Sequence, residues 1–249
     1  LNDYVDAFKI ASYELTHIPL LIKATKTMKP IIMSIGGAEI DEVREAIKIV
    51  KSQGSNKILI MQCVAKYPMP VSSANVNVIK TLKLEFPDII VGYSDHSLEP
   101  SVVPISAVAM GAKIYEKHFT LDRNMEGIDH KMSLEPSELN EMVSSIRDTE
   151  EKLANNGKII IDESTLGDGE IKLTDEQKDL MKFTRRSIFA IKSIKKGDEL
   201  SYHNIAVLRP GNRDTQGGFH PREFLSLIGK KAETDIDSLS LIKNEQITF

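Results

Sequence analysis

The sequence predicts an α/β fold with a parallel sheet, followed by a small β-rich domain. Three observations predict it. Short apolar, β-type runs alternate with longer amphipathic segments from Phe8 to about Asn155; the composition then turns polar and Gly-rich; and short β-type runs return after Arg185. The chain has 249 residues, 41% of them hydrophobic, which is enough apolar material for a sizeable core and a second small domain.

The first part holds about five strand-helix units. Its expected strands are Phe8–Ser12, Pro30–Gly36, Lys57–Val64, Ile89–Asp95 and Ala112–Thr120. Each is a near-continuous apolar run, the pattern of strands buried on both faces. Between the second and third strands, Ile40, Val43, Ile47 and Val50 recur at helical spacing and the segment stops at Gly54. The last helix of this part opens at Ser133-Leu134-Glu135-Pro136 and carries Leu139, Met142, Val143 and Ile146 on one face. Residues 1–155 are therefore expected to form the β/α domain. Residues 156–183, with an Asn155-Asn156-Gly157 turn and a Gly167-Asp168-Gly169 turn, read as a linker with one short helix, and residues 184–249 as the β-rich domain.

Composition narrows the partners. The formal charge of −4 is spread over interleaved Lys and Glu, which gives no electrostatic footprint for nucleic acid or an anionic membrane and points to a small-molecule partner. A single cysteine, Cys63, cannot form an internal disulfide, and no apolar stretch has the length and flanks of a signal peptide or membrane span. These features place the expected location in the cytoplasm. Leu1 stands where an initiator Met would, and a strand-like segment follows almost at once, as if the chain were cut upstream.

Polar residues capable of chemistry recur where each expected strand ends, the position at which parallel β/α folds keep their active sites. They are Lys9, Ser12 and Glu14 at the first strand, Ser34 at the second, Tyr67 after the third, Ser94, Asp95 and His96 at the fourth, and Lys117 and His118 at the fifth; Asp129-His130-Lys131 follows in the next loop. His96 and His118 close consecutive strands, so two imidazoles can converge on one ion with positions left for water and substrate. The competing reading gives each His an ordinary loop hydrogen bond. Lys9 and Lys117, with Ser12, Ser34 and Ser94, offer cations and hydroxyls to a substrate carrying phosphate and carboxylate. Alternatively the lysines pair structurally with Glu14 or Glu116, and the serines only form turns. For Glu14 two readings stand, a general acid or base and a simple partner of Lys9. Asp129 sits in what is otherwise a solvated charge cluster, Tyr67-Pro68 in an ordinary turn, and Arg209 in a β-turn. Cys63 reads as a buried, inert thiol.

Taken in order, these segments resemble the N-acetylneuraminate (sialic acid) synthase family, including the legionaminic and pseudaminic acid synthases. The resemblance lies in Lys9-Ile10-Ala11-Ser12-Tyr13-Glu14, Gly92-Tyr93-Ser94-Asp95-His96-Ser97, Glu116-Lys117-His118-Phe119-Thr120-Leu121-Asp122 and Asp129-His130-Lys131-Met132-Ser133-Leu134-Glu135-Pro136, with Arg185-Arg186-Ser187-Ile188 and Arg209-Pro210-Gly211-Asn212 in the tail. It implies a TIM-type (β/α)8 barrel, here with about five units, and a C-terminal SAF, or antifreeze-like, domain. By resemblance, His96 and His118 are ligands of Mn²⁺, with Mg²⁺ or Co²⁺ as alternatives, and both serve catalysis with Glu14. Lys9, Ser12, Ser34 and Ser94 hold phosphoenolpyruvate, and Lys117 counts among the substrate-binding residues; Tyr67 and Asp129 contact an acylamino sugar, N-acetylmannosamine first among them; Arg209 reaches in from the SAF domain of a domain-swapped homodimer.

The implied reaction joins phosphoenolpyruvate, the sugar and water into a nonulosonic acid and phosphate. The chain departs from the family pattern at Ile35 and Gly37, where Thr and Met are usual, at Gln62 in place of His, and at Ile128 in place of Pro. The family's first three β/α units have no counterpart, so the chain alone is expected to lack synthase activity. Two other readings are a non-catalytic sugar- or partner-binding remnant of the scaffold and another barrel lyase or aldolase.

Overall fold

A computed structural model describes residues 1–173, 175–211 and 213–248. Thr174 of the expected linker, Asn212 of the Arg209 motif and Phe249 at the end of the expected C-terminal domain lie outside the described residues. The chain divides into two compact units, Leu1–Ser12, Pro30–Ile40 and Lys57–Leu173 in one and Tyr13–Lys29, Asp41–Asn56 and Thr174–Phe249 in the other.

The first unit is built on a five-stranded sheet, β1 (Phe8–Ile10), β2 (Ile31–Ser34), β3 (Ile58–Cys63), β4 (Ile90–Asp95) and β5 (Tyr115–Lys117), paired in sequence order and parallel throughout. In the second unit, α1 (Ile18–Thr25) and α2 (Ile40–Ser52) are the helices that follow the first two strands in the chain. The helices α3 (Val78–Glu85), α4 (Val102–Ala109) and α5 (Pro136–Ala154) belong to the first unit. There α3 packs on β3 and β4, and α4 packs on β4 and α5. The covered face of the sheet carries Ile10, Ile31, Met33, Ile58, Ile60, Val91 and Tyr93, all buried.

Side chains alternate between the faces of a strand. The other face therefore carries Lys9, Ser34, Cys63, Ser94 and Glu116, and Cys63, Ser94 and Glu116 are register partners across three strands. This alternation is what sets the chemistry of the sheet.

β5 is shorter than the run Ala112–Thr120 that the sequence predicts. Past Lys117 the chain bonds instead to the loop before α5: Leu134 N donates to His118 O and Thr120 N to Leu134 O, each at 2.9 Å. The start of α5 follows the sequence signal, with Pro136 in its first turn and a capping box in which Glu138 accepts from the backbone of Glu135 at 2.8 Å.

The segment expected as a linker is docked over residues 162–170. Asn75, itself in the left-handed region at φ 48°, donates to Asp168 Oδ1 and accepts from Gly169 N at 2.9 Å. Asn77 and Thr81 donate to the carbonyls of Gly167 and Gly169 at 3.1 and 2.7 Å.

In the second unit α2 buries Val43, Ala46, Ile47 and Val50, as its spacing predicts. It also buries Glu42, held by Arg185 Nη2 at 2.7 Å and His220 Nε2 at 3.0 Å. The C-terminal part begins with α6 (Asp175–Thr184), then pairs β6 (Ser187–Ala190) with β7 (Ile205–Leu208) antiparallel, and includes the short helix α7 (Phe224–Leu227). Isolated bridges such as Ile194–Ile236 and Ala232–Ile247 extend this ladder around a core of Ile188, Leu200, Ile205, Phe219, Phe224, Leu227 and Ile242. No helix among the described residues is long and apolar enough to cross a membrane.

Candidate functional site

At the C-terminal ends of the first unit's strands, polar side chains collect on the inner face. Ser94 Oγ donates to Glu116 Oε1 at 2.8 Å, and Glu116 lies 3.3 Å from Lys9 Nζ. The pairing of Lys9 with Glu116 is one of the two structural pairings the sequence allowed. Ser34 Oγ is buried without a hydrogen-bond partner among the described residues, the kind of orphan that a ligand satisfies. Ser12 Oγ accepts from Gly36 N at 3.0 Å. A Cβ on Gly36 would stand 2.8 Å from Cys63 Sγ, so this approach of backbone to side chains requires glycine.

Lys117 is corrected by the same alternation that unites Ser94 and Glu116. Its partner across the ladder is Asp95, on the covered face, and the two side chains form an ion pair that is 2% and 0% exposed. The ammonium also meets the carbonyl and hydroxyl of Ser97. With its donors engaged there, it belongs to the interior and not to an anion-binding set on the inner face.

His96 and His118 come together as expected, their ring centroids 5.3 Å apart. His96 Nδ1 lies 3.0 Å from the Val64 carbonyl. A carbonyl only accepts, so Nδ1 carries the proton and Nε2 keeps its lone pair for a ligand. Burial, reinforced by the neighbouring His118, pulls the His96 pKa below its ordinary value despite the Val64 bond. Among the described residues no group of three or more His, Cys, Asp or Glu side chains is gathered for a metal. Two imidazoles alone suit an ion that completes its shell with water and substrate.

Around this pair, Tyr67 stacks obliquely on His96 at 4.2 Å and is 41% exposed. The Asp129 carboxylate lies 3.9 Å from His118 Nδ1 and is open to solvent. Cys63 is buried, and burial pushes its thiol up, consistent with an inert core residue.

Glu14 and Arg209 belong to the second unit. Arg186 grips Glu14 with Nε and Nη2, each at 2.5 Å, while Arg209 Nη2 stands at 3.5 Å and its guanidinium lies over the Tyr13 ring at 5.7 Å. Within that unit Glu14 is thus held in a bidentate arginine clamp. Burial works to raise the Glu14 pKa, but Arg186, His17 and Arg209 together hold it below the ordinary value. Arg186 stands in the matching segment Arg185-Arg186-Ser187-Ile188 but was not singled out as a site residue.

Five parallel strands with polar side chains gathered at their ends, in a fold shared with TIM-type neighbours, define a protein of the TIM-type barrel class, joined to a SAF domain. The chain belongs to the NeuB family, whose model matches residues 1–158, and the SAF domain model matches residues 185–248. It is 45% identical over 231 residues to the spore coat polysaccharide biosynthesis protein SpsE of Bacillus subtilis, a match covering 92% of this chain and 61% of that protein. The crystal structure of that relative superposes with a TM-score of 0.91 over 98% of this chain and 68% of its own. The N,N'-diacetyllegionaminic acid synthase of Campylobacter jejuni is 35% identical over 95% of this chain and 65% of its own length. A structure of N-acetylneuraminic acid synthetase from Leptospira borgpetersenii with citrate, 34% identical, gives a TM-score of 0.56 over 72% of this chain and 57% of its own. The chain thus spans under two thirds of the length of these curated relatives.

Proposed function

We propose that this chain carries the metal-binding and acid-binding part of a nonulosonic acid synthase, which condenses phosphoenolpyruvate with an acylamino sugar and water. The observation that carries the reading is the juxtaposition of His96 and His118 at adjoining strand ends, on a chain related to proteins named as synthases of sialic-type acids. Mn²⁺ is the ion proposed for these imidazoles, and when bound it supplies Lewis acidity toward the sugar aldehyde. Ser34, Ser12, Ser94 and Lys9 bind phosphoenolpyruvate through hydroxyls and an ammonium; the buried Ser34 Oγ, without a hydrogen-bond partner among the described residues, supports this.

In the proposed step the methylene carbon of phosphoenolpyruvate forms the new bond to the aldehyde carbon, and positive character develops at the enol carbon. Water adds there, the carbon–oxygen bond to phosphate breaks, and phosphate leaves. By its match to the family motif, Glu14 stabilises that developing charge as a carboxylate, the state that Arg186 favours. Tyr67 and Asp129 are proposed to orient the sugar, and Arg209 to contribute a cation from the SAF domain. N-acetylmannosamine is the first acceptor to test, with the acetamido sugar precursors of legionaminic and pseudaminic acids beside it. A cytoplasmic homodimer completes the proposal, and sedimentation tests the dimer.

Calorimetry tests the binding half. Phosphoenolpyruvate is expected to bind in the presence of Mn²⁺ and to lose about tenfold or more in affinity in His96→Ala, at least the loss that follows removal of a mere outer-shell partner of a metal ligand. Binding of the sugar with no binding of phosphoenolpyruvate would favour a non-catalytic binder instead.

A further inference from the structure

We propose that Asp95 and Lys117 act as a positioning ion pair that sets the separation of His96 and His118. The inference rests on the reading of the two imidazoles as one metal site and names what holds them. Each charged residue immediately precedes one of the histidines, and the two are register partners of β4 and β5.

The network reaches past His96 as well. Asp95 Oδ1 accepts from Ser97 N and Oδ2 from Ser97 Oγ, both at 2.8 Å, while Lys117 meets the Ser97 carbonyl and, at 3.3 Å, its hydroxyl. His96 is thus bracketed by Asp95 and Ser97, and both are tied to the residue that precedes His118. The side chains concerned are buried, at 0% exposure for Asp95 and 2% for Lys117. A one-residue slip of β5 on β4 would turn Lys117 away from Asp95 and leave a buried carboxylate without its cation, which is strongly unfavourable. The pair therefore selects the one register that brings the two strand ends, and the imidazoles 5.3 Å apart, together. Setting register is the best-attested use of a buried ion pair, since well-packed apolar replacements often match it in stability.

That last property separates positioning from mere stability. The variants are Lys117→Met, Asp95→Asn, the double variant Asp95→Leu with Lys117→Met, and the conservative Lys117→Arg. Three readouts apply to each: the urea midpoint, Mn²⁺ affinity by loss of the free-ion EPR signal, and the ring–ring nuclear Overhauser contact between His96 and His118 in metal-free protein. The single variants are expected to bind Mn²⁺ 10- to 100-fold more weakly, the range found for residues that orient metal ligands. The double variant is expected to keep a midpoint near that of the parent while losing at least about tenfold in Mn²⁺ affinity and weakening the ring contact; Lys117→Arg recovers part of both. A folded double variant with unchanged affinity and an intact ring contact overturns the inference. If the parent chain itself binds no Mn²⁺, or His96→Ala still binds it, the metal reading fails instead. The ring contact, measured without metal, still decides whether the pair positions the histidines.

Discussion

Arg186 holds both carboxylate oxygens of Glu14, at 2.5 Å each, although 172 positions separate the two residues. Burial works to raise the Glu14 pKa, but Arg186 together with His17 and Arg209 keeps it below the ordinary 4.5. A carboxylate with a depressed folded-state pKa contributes stability that is complete above its unfolded value and is lost as pH falls through the folded one.

Replacing Arg186 by Gln leaves burial as the dominant influence and should move the Glu14 pKa upward. The expected cost is about 1 to 3 kcal/mol near neutral pH, the range for hydrogen bonds to a charged group. It should shrink on acidification, because protonated Glu14 no longer needs the arginine. Carboxyl ¹³C shifts followed from pH 2 to 7 read the pKa directly, and an unchanged Glu14 titration would contradict the clamp.

Ser34→Ala removes a buried hydroxyl that has no hydrogen-bond partner among the described residues, so none of their groups is left unsatisfied. The chain should unfold at the same urea concentration or slightly higher. Phosphoenolpyruvate affinity should fall about tenfold, the value of one hydrogen bond of roughly 1.4 kcal/mol. A drop in stability with binding intact would show that the hydroxyl serves the fold alone.

Asn75 fastens the 162–170 segment from a left-handed backbone position. Asn75→Ala loses its side-chain hydrogen bonds and puts at φ 48° a residue that tolerates the left-handed region less well than Asn, for an expected loss of about 2 to 3 kcal/mol. Asn75→Gly removes only the hydrogen bonds and should cost about 1 kcal/mol less. Urea midpoints of the two variants check the order.

Much of this was legible in the sequence. The five apolar runs marked the strands because a strand buried on both faces leaves little room for polar residues. For the same reason, Ser34, Ser94, His96 and His118 stood out where those runs ended. The face taken by Lys117 was also available, since it stands one residue from Glu116 and period two sends neighbours to opposite sides; spacing to the functional motif obscured it. By contrast, Arg186 with Glu14 and Asn75 with Gly169 are pairs 172 and 94 residues apart, with no local signal. The small β-rich domain was legible too: its β-type runs became β6 and β7, and turns break the rest of its ladder into bridges of single residues.

Phosphate release from phosphoenolpyruvate measures the central claim most directly. The assay uses the 249-residue chain and a chimera that adds the part of the Bacillus subtilis relative lying outside the match, each with Mn²⁺ and a panel of acylamino sugars. The account predicts release by the chimera that depends on both sugar and Mn²⁺ and falls by about two or more orders of magnitude in His96→Ala or His118→Ala, with little or none from the chain alone. Release that ignores the sugar, or that survives loss of both histidines, would contradict it.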